Sequence, residues 1–138
     1  KIIAMGARKR LKSEERKEAN KSFYAAKLNG STSSPRKMRL VADLIRGEEV
    51  VKAANILQFH KQDASNKLET LLWSAVANYE EKSGSDWEGA GLFVKEVKVD
   101  AASMLKRIQA RAQGRAYRVR KRSNHVTLVL GTQNQEEK

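Results

Sequence analysis

A long acid-free segment between two strand-like stretches restricts the fold more than any other feature of this sequence. Residues 101–124 contain no Asp or Glu, and the stretch 106–122 within them holds eight Lys or Arg among seventeen residues. The flanking stretches, 92–100 and 125–130, are rich in β-branched residues with partial alternation, which predicts two strands. If these strands pair antiparallel, the midpoint falls near Gln113–Gly114, where glycine supplies the backbone freedom that a hairpin tip requires.

Such a hairpin is too long to lie within the body of the protein. Each arm has about 18–20 residues, which at about 3.3 Å per residue extends roughly 60 Å. A compact domain of this size has a radius of gyration of only about 14 Å. A two-stranded ribbon is marginally stable alone in water, and repulsion among its cations weakens it further. We therefore expect a projecting ribbon that is ordered where a polyanion surrounds it. The alternative from composition alone is a disordered basic loop.

The charge distribution also indicates a polyanionic partner. The chain has 138 residues and a net charge of +12, with +9 in residues 1–46, −4 in residues 47–94 and +7 in residues 95–138. This basic–acidic–basic pattern predicts a folded middle and two basic faces or arms, with nucleic acid as the first candidate partner and an anionic membrane as the second. The absence of cysteine excludes disulfides, thiolate metal sites and a cysteine nucleophile. No apolar run reaches membrane-spanning length, and no secretory pattern opens the chain.

Three helices are predicted in the middle of the chain. Ser34 suits an N-cap, Pro35 the first helical position and Gly47 the end of the first helix. The second helix is predicted over 48–59, and the third is indicated by apolar residues repeating at three and four. The residues predicted to face the core are Met38, Val41, Leu44, Ile45, Val50, Ala53, Ala54, Leu57, Ala64, Leu68, Leu71, Leu72, Ala75, Val76 and Tyr79.

The first of these helices carries cations at the wrong end. Arg36, Lys37 and Arg39 lie near its N-terminus, which the helix dipole already makes positive, so a bound anion is expected there. Residues 23–29 are predicted to form a strand and residues 81–91 a loop, while the charged segment 8–22 fits a solvated helix or a loose tail equally well. Trp73 suits packing at the core edge better than a stacking surface.

No constellation for catalysis is evident in the sequence. His60 is expected at a helix end and His125 in a basic strand, while Glu80 and Glu81 are adjacent and face different directions on a helix. No Gly-rich phosphate loop or metal-spaced cluster occurs, so no catalytic residue, metal or cofactor is expected. A sequence-specific DNA binder would use the ribbon or the Ser34 helix in a duplex groove. A membrane-surface protein would need apolar stripes, which the basic segments lack.

Three stretches of the sequence resemble one known family. SPRKMRLVADLIRG, at 34–47, closely resembles the first helix of the large-subunit ribosomal protein twenty-two family, in its bacterial type. The spacing from Lys106 through Arg111, Gly114 and Arg115 to His125 resembles that family's hairpin pattern, and SAVANYE, at 74–80, resembles its third helix.

The resemblance implies an α+β fold with three helices packed on a three-stranded antiparallel sheet, two strands of which are prolonged into the hairpin. It also implies a structural role in the large ribosomal subunit, with 23S-type rRNA, neighbouring ribosomal proteins and, at the wall of the peptide exit tunnel, the nascent chain as partners. The expected location is the cytoplasmic ribosome, without a membrane or a homo-oligomer. The alternative is a basic ribbon protein that acts on DNA or as a ribosome assembly factor.

The site residues combine composition with this resemblance. Candidate rRNA-binding residues are Arg8, Lys9, Arg10, Lys27, Ser34, Arg36, Lys37, Arg39, Lys106, Arg107, Arg111, Arg115, Arg118, Arg120, Lys121, Arg122 and His125. The expected tunnel tip comprises Lys106, Arg107, Ile108, Arg111, Gln113, Gly114 and Arg115. Many relatives have proline in place of Ala110 and a basic residue in place of Gln113. The expected organisation is an N-terminal extension (1–22), a domain (23–131) with the hairpin at about 95–128, and a tail (132–138).

Overall fold

The stretches in which apolar and polar residues alternate form strands, and those in which apolar residues recur every three or four positions form helices. The computed structural model describes residues 2–21 and 23–132. The helices are α1 (Ile2–Lys21), α2 (Pro35–Ile45), α3 (Val50–Phe59) and α4 (Asp63–Ser83). The strands are β1 (Tyr24–Ser31), β2 (Leu92–Ala101), β3 (Leu105–Ala110), β4 (Ala116–Lys121) and β5 (Asn124–Thr132). The predicted α+β class is confirmed.

The central sheet has the order β1-β5-β2, so the last strand lies in the middle and pairs antiparallel with both neighbours. Its register runs from Leu92 opposite Thr132 to Ala101 opposite Asn124, with a bulge around Lys95. Beyond Ala101 the same two chain segments pair again as β3 and β4, in a separate two-stranded sheet. The three-stranded sheet and a hairpin that prolongs two of its strands are therefore as predicted. The projecting part is shorter than predicted, because residues 92–101 and 124–132 lie in the central sheet and only residues 102–123 extend beyond it.

The core lies between the sheet and helices α2, α3 and α4. On β5 the alternate residues Val126, Leu128 and Leu130 are buried, and they belong to the same cluster as the apolar stripe of α4. All seven core residues predicted on α4 are buried. Tyr79 of α4 also meets Tyr24 of β1 edge to face, with 4.7 Å between ring centroids. This body fixes the positions from which the hairpin and the N-terminus of α2 present their cations.

Two of the predicted core positions are wrong or only partly buried. Leu44 is 46% exposed, whereas Ala42 is fully buried. The buried stripe of α2 therefore follows Met38, Val41, Ala42 and Ile45, the i, i+3, i+4, i+7 spacing of one helix face, and Leu44 lies beside it. Ala54 on α3 is only partly buried against the core.

Helix α3, the second of the predicted helices, begins two residues later than predicted. Glu48 and Glu49 are held to β2, because the Val94 amide donates to the Glu48 carbonyl at 2.9 Å and Glu49 forms a bridge with Phe93. This pairing keeps Glu49 extended, so α3 starts at Val50. Helix α4, the third of the predicted helices, runs to Ser83 and is followed by Gly84 in the left-handed conformation. The loop predicted at 81–91 therefore starts three residues too early.

The predicted count of three helices is wrong, because the charged N-terminal segment is also helical. The side chains described between positions 8 and 20 of α1 are all exposed, including Leu11 at 54%. Of the sequence predictions, position 22 and the tail residues 133–138 fall outside the described residues. A search of the described helices found none with the length and apolarity needed to span a bilayer.

Candidate nucleic-acid interface

The hairpin carries cations on both of its faces. Directly paired residues of antiparallel strands share a face, and successive pairs alternate between the two faces. One face therefore holds the pairs Lys106–Arg120, Ile108–Arg118 and Ala110–Ala116. The opposite face holds Leu105–Lys121, Arg107–Val119 and Gln109–Tyr117. A ligand that touched one face alone would leave the cations of the other face without a partner.

The hairpin has almost no apolar core of its own. Every residue of β3 is exposed, and in β4 only Val119 is half-buried. Ile108 is 79% exposed and Tyr117 is 42% exposed. Lys106 lies directly opposite Arg120, and like charges opposite one another destabilise a strand pair. The ribbon is therefore held mainly by its backbone pairing, and a partner that supplied negative charge and packing surface would stabilise it further.

The turn at the tip is formed where the sequence predicts it. Gln113 and Gly114 have φ values of +61° and +66°, the left-handed region that glycine adopts at little cost. The amide of Arg111 donates to the carbonyl of Arg115 at 2.8 Å, which closes the last pair of the ladder. Consecutive residues with positive φ match the twist of a tight hairpin. Ala112 and Ala116 on either side are small and exposed, so the backbone can approach a neighbouring surface closely.

The protein itself does not neutralise the hairpin. Five ion pairs form among the described residues, and none of them includes a cation of residues 105–122. Acidic side chains border only the base of the hairpin, where Asp100 stands opposite His125. The cations of the ribbon are thus available to an external anion.

The base of the hairpin is fastened to the loop that leads into α2. The side-chain amide of Asn124 is fully buried and donates to the Ser33 carbonyl at 2.7 Å and to Ser33 Oγ at 2.9 Å. The Arg39 guanidinium donates to the Val99 carbonyl through Nε at 3.3 Å and Nη2 at 2.9 Å. These bonds join two basic segments that are far apart in the sequence and hold the N-terminal end of α2 beside the base of the hairpin.

The N-terminal end of α2 lines an open groove of about 480 Å³ with Ser34, Arg36, Lys37, Arg39 and Leu40. Ser34 occupies the N-cap position as predicted, but its side chain makes no capping hydrogen bond. Pro35 has no N–H and the Met38 amide donates to the Ser34 carbonyl at 3.1 Å, so the amides of Arg36 and Lys37 are left for an external acceptor. Part of the Arg39 guanidinium is committed to the Val99 carbonyl, and its binding to RNA stays a prediction.

Lys27 and His125 lie on the sheet, away from the α2 groove. Lys27 stands opposite Thr127 on the outer face of the sheet, where it is exposed. The Gly30 amide donates to His125 Nδ1 at 3.1 Å, so the Nε2 nitrogen is the one that carries the proton and can donate outward. His125 stands at the base of the hairpin, opposite Asp100, whereas Lys27 lies within the central sheet. The binding of both side chains to RNA stays a prediction.

Arg8, Lys9 and Arg10 belong to α1, a different element from the joined surface of α2 and the hairpin. Arg10 Nε approaches Glu14 of the same helix at 3.4 Å, an exposed ion pair with little energetic weight. Alternating positive and negative side chains give this helix a mixed surface, in contrast with the uniformly basic ribbon. The binding of RNA by Arg8, Lys9 and Arg10 therefore stays a prediction that rests on composition.

Sequence reasoning missed two residues of this region. Asn124 is not among the predicted site residues, although it is the buried link between the hairpin and α2. Tyr117 is not among them either, although its hydroxyl accepts a hydrogen bond from Arg111 and donates one to Gln109. The available signal was the polar or aromatic residue type inside a run that is otherwise cations and small residues.

The remaining candidate groups do not assemble into a reaction centre. Within residues 2–21 and 23–132, no group of three or more His, Asp or Glu side chains could hold a metal ion. His60 ends α3 and His125 lies on β5, so the two histidines are on separate elements. Trp73 meets Trp87 edge to face at 5.7 Å and remains 42% exposed, which agrees with packing at the core edge.

Comparisons with known proteins converge on one family. The family model described as ribosomal protein L22p/L17e matches residues 26–131. The large ribosomal subunit protein uL22 of Flavobacterium johnsoniae is 60% identical over 131 residues, which cover 94% of this chain and 96% of the relative. The protein of the same name from Christiangramia forsetii is also 60% identical, with 94% and 97% covered. That of Bacteroides fragilis is 51% identical over 133 residues, with 96% and 98% covered.

Proposed function

Because the chain belongs to the ribosomal protein L22p/L17e family, we propose that it is a non-catalytic, structural constituent of the large ribosomal subunit that binds 23S-type rRNA. The observation that carries this proposal is the distribution of cations over both faces of a hairpin that has almost no core of its own. Its location is then the cytoplasmic ribosome, and its partners are rRNA and neighbouring ribosomal proteins.

The two-faced ribbon favours RNA that surrounds it. A duplex groove or a membrane surface is contacted from one side, which would leave Lys106, Arg118 and Arg120, or else Arg107 and Lys121, facing water. Several RNA helices packed around the ribbon would supply phosphates to both faces, and exposed apolar groups could pack on sugars and bases. Arginine suits this role because its planar guanidinium binds phosphate with two parallel hydrogen bonds and stacks on flat surfaces.

The joined base of the hairpin supports a defined angle of entry into the RNA. The bonds from Asn124 to Ser33 and from Arg39 to Val99 hold the ribbon against the N-terminus of α2. The body would dock through the α2 groove, whose free amide groups and cations fit a phosphate. The ribbon would then extend inward from this anchored position, with contacts to phosphates fixing the orientation.

The far end of the ribbon would form part of the wall of the peptide exit tunnel. The proposed tip residues are Lys106, Arg107, Ile108, Arg111, Gln113, Gly114 and Arg115. The turn at Gln113 and Gly114 lies at the end of the hairpin, and the two alanines beside it present little bulk. The nascent polypeptide is then a transient partner of the tip, while a second copy of this chain is not required.

A sedimentation experiment tests the proposal. A tagged copy expressed in a related bacterium should travel with large subunits in a sucrose gradient and should stay bound after a high-salt wash. A variant lacking residues 106–122 should be lost in that wash, while Arg111→Ala or Arg115→Ala alone should be retained to a greater degree, because no single phosphate contact dominates. Recovery of the intact protein only at the top of the gradient would overturn the assignment. Retention of the deletion variant beside loss of a point variant would overturn the role of the hairpin.

A further inference from the structure

The polar side chains at the hairpin tip are ordered by one another before any partner is present. Tyr117 Oη accepts a hydrogen bond from Arg111 Nη2 at 2.8 Å and donates one to Gln109 Oε1 at 2.7 Å. The Arg111 guanidinium carbon also lies over the Tyr117 ring, 4.8 Å from its centroid. On the turn itself, Arg115 Nη2 donates to Gln113 Oε1. A small network of side chains therefore spans the tip.

The direction of these bonds determines what the tip offers to a ligand. Both glutamines turn the amide oxygen towards a neighbour in the hairpin, so each NH₂ group is left with two N–H donors. A guanidinium has five N–H donors, and each arginine of the network spends one of them on a side-chain partner. Arg111 and Gln109, on either side of the Tyr117 hydroxyl, thus keep N–H donors for a ligand. Arg115 and Gln113 keep donors in the same way as a separate pair on the turn.

We propose that this network is a preassembled binding site for a phosphodiester group of RNA, and that Tyr117 is the residue that positions it. A phosphate has only acceptor oxygens, which is the complement of a surface that presents donors. Tyr117 is the central residue, because its hydroxyl fixes both Arg111 and Gln109 and its ring carries the guanidinium. This inference rests on the proposed function and adds to it a ligand group and a residue outside the basic set.

The tip offers an oriented donor even at a position without a lysine or arginine. Gln113 is neutral, yet its amide is oriented by Arg115 and still donates. Ordering a long side chain on binding carries an entropic cost, and a guanidinium already held by a ring and a hydroxyl loses less freedom. The aromatic ring therefore acts through Arg111, and its effect should disappear when that arginine is absent.

A double-mutant cycle tests the positioning role. Binding of a 23S-type rRNA transcript is measured for the full chain and for Tyr117→Phe, Arg111→Ala and the double variant. Loss of the hydroxyl should weaken binding roughly three- to tenfold in the natural background. Tyr117→Phe should have a clearly smaller effect in the Arg111→Ala background, where only Gln109 remains for the hydroxyl to orient. Phe59→Ala, which removes an aromatic ring that is 82% exposed on α3, is the control and should bind as the unmodified chain does. Equal binding by Tyr117→Phe, or additive effects in the cycle, would overturn the proposal.

A second substitution tests the direction of the donors. Gln109→Glu keeps an oxygen for the Tyr117 hydroxyl but replaces the outward NH₂ group by a charged acceptor. It should weaken binding at least about tenfold, because a charge-assisted donor contact becomes a repulsive one. Gln58→Glu makes the same change of charge at an exposed position on α3 and should have a much smaller effect. Equal losses for the two glutamate variants would refute a donor site at the tip.

The outcomes separate this inference from the proposed function. If the unmodified chain fails to bind the transcript, or binds it with no strong dependence on salt, the assignment to rRNA fails as a whole. If it binds with a steep salt dependence and Tyr117→Phe binds equally well, only the tip network is refuted. Circular dichroism and thermal unfolding should be unchanged in every tip variant, because β3 and β4 contribute no residue to the buried core.

Discussion

Replacing Asn124 by aspartate should separate the hairpin base from the α2 loop. Asn124 is fully buried, and its amide nitrogen makes both bonds to Ser33, at 2.7 and 2.9 Å. Its Oδ1 is also buried and has no partner among the described residues. In Asn124→Asp the shape is nearly unchanged, but an oxygen replaces the donor nitrogen and faces the Ser33 carbonyl at the same short distance.

The expected destabilisation follows from these contacts. Each lost hydrogen bond contributes about 1 kcal/mol, and an uncompensated buried charge costs about 3–5 kcal/mol. The combined loss should be about 5–7 kcal/mol at pH 7, which for a chain of this size lowers Tm by roughly 15–25 °C. Burial raises the pKa of the introduced carboxyl above its unfolded value, so the penalty should be full at pH 7 and smaller near pH 4, where the protonated acid can donate to Ser33.

Thermal unfolding followed by circular dichroism at pH 7 and at about pH 4 is the assay. Asn29→Asp is the matched control, because Asn29 is an exposed residue of β1 and the charge change is the same. The reasoning is refuted if Asn124→Asp melts within about 2 °C of the unmodified chain at pH 7. It is refuted equally if Asn29→Asp produces the same loss, or if the loss for Asn124→Asp is larger at the lower pH.

Three further predictions address the ribbon, the core and the turn. Replacing Lys106, Arg118 and Arg120, which share one face of the hairpin, by alanine should make the slope of log K against log salt shallower by about 2.7 in filter binding to a 23S-type transcript. The factor by which binding weakens between 50 and 200 mM salt should then be about 40 times smaller than for the unmodified chain. An unchanged slope would contradict this prediction. Leu68→Ala should destabilise the protein by about 2–5 kcal/mol in denaturant titration, whereas Leu40→Ala, at a position 62% exposed, should stay within about 0.5 kcal/mol; similar losses would contradict the buried assignment. Gly114→Val places a branched side chain at a φ of +66° and should cost about 1–2 kcal/mol of backbone strain at the turn. Amide hydrogen exchange in β3 and β4 should become faster, while Tm should not fall. Unchanged exchange would count against the turn geometry.

Much of the fold could be predicted because local patterns and tertiary packing agree. The repeat on α4 buries every residue it predicts, since a long amphipathic helix has only one apolar face to offer. The hairpin tip at Gln113 and Gly114 was predictable because strand pairing fixes the midpoint and only a flexible residue suits the turn. In both places the local preference and the global arrangement point to the same structure.

The incorrect predictions occur where packing against a neighbouring helix or strand, and not the local sequence, determines burial or the helix boundary. Leu44 is as apolar as Ile45, and only the approach of the sheet and α3 determines that Ala42 is buried instead. Glu49 suits a helix start by its charge, but pairing with Phe93 holds it extended. The charged α1 has no apolar stripe, so periodicity could not distinguish a helix from a tail.

The candidate site was predictable in composition but not in arrangement. A count of cations identifies the ribbon, because charge density is a property of the sequence alone. The bond from Asn124 to Ser33 joins residues ninety-one positions apart, and nothing local indicates that one buried amide connects the two basic segments. The role of Tyr117 depends likewise on strand register, which places Gln109 directly across from it.

The strand order has a consequence for the way this protein is made. The last strand, β5, is the middle of the sheet, and β1 and β2 touch it but not each other. During synthesis from the N-terminus, the first two sheet strands must wait as unpaired edges until residues 124–132 leave the ribosome, so the sheet can close only after the whole basic ribbon has emerged. Each new copy therefore displays its most strongly charged segment to the cell before its own body is complete.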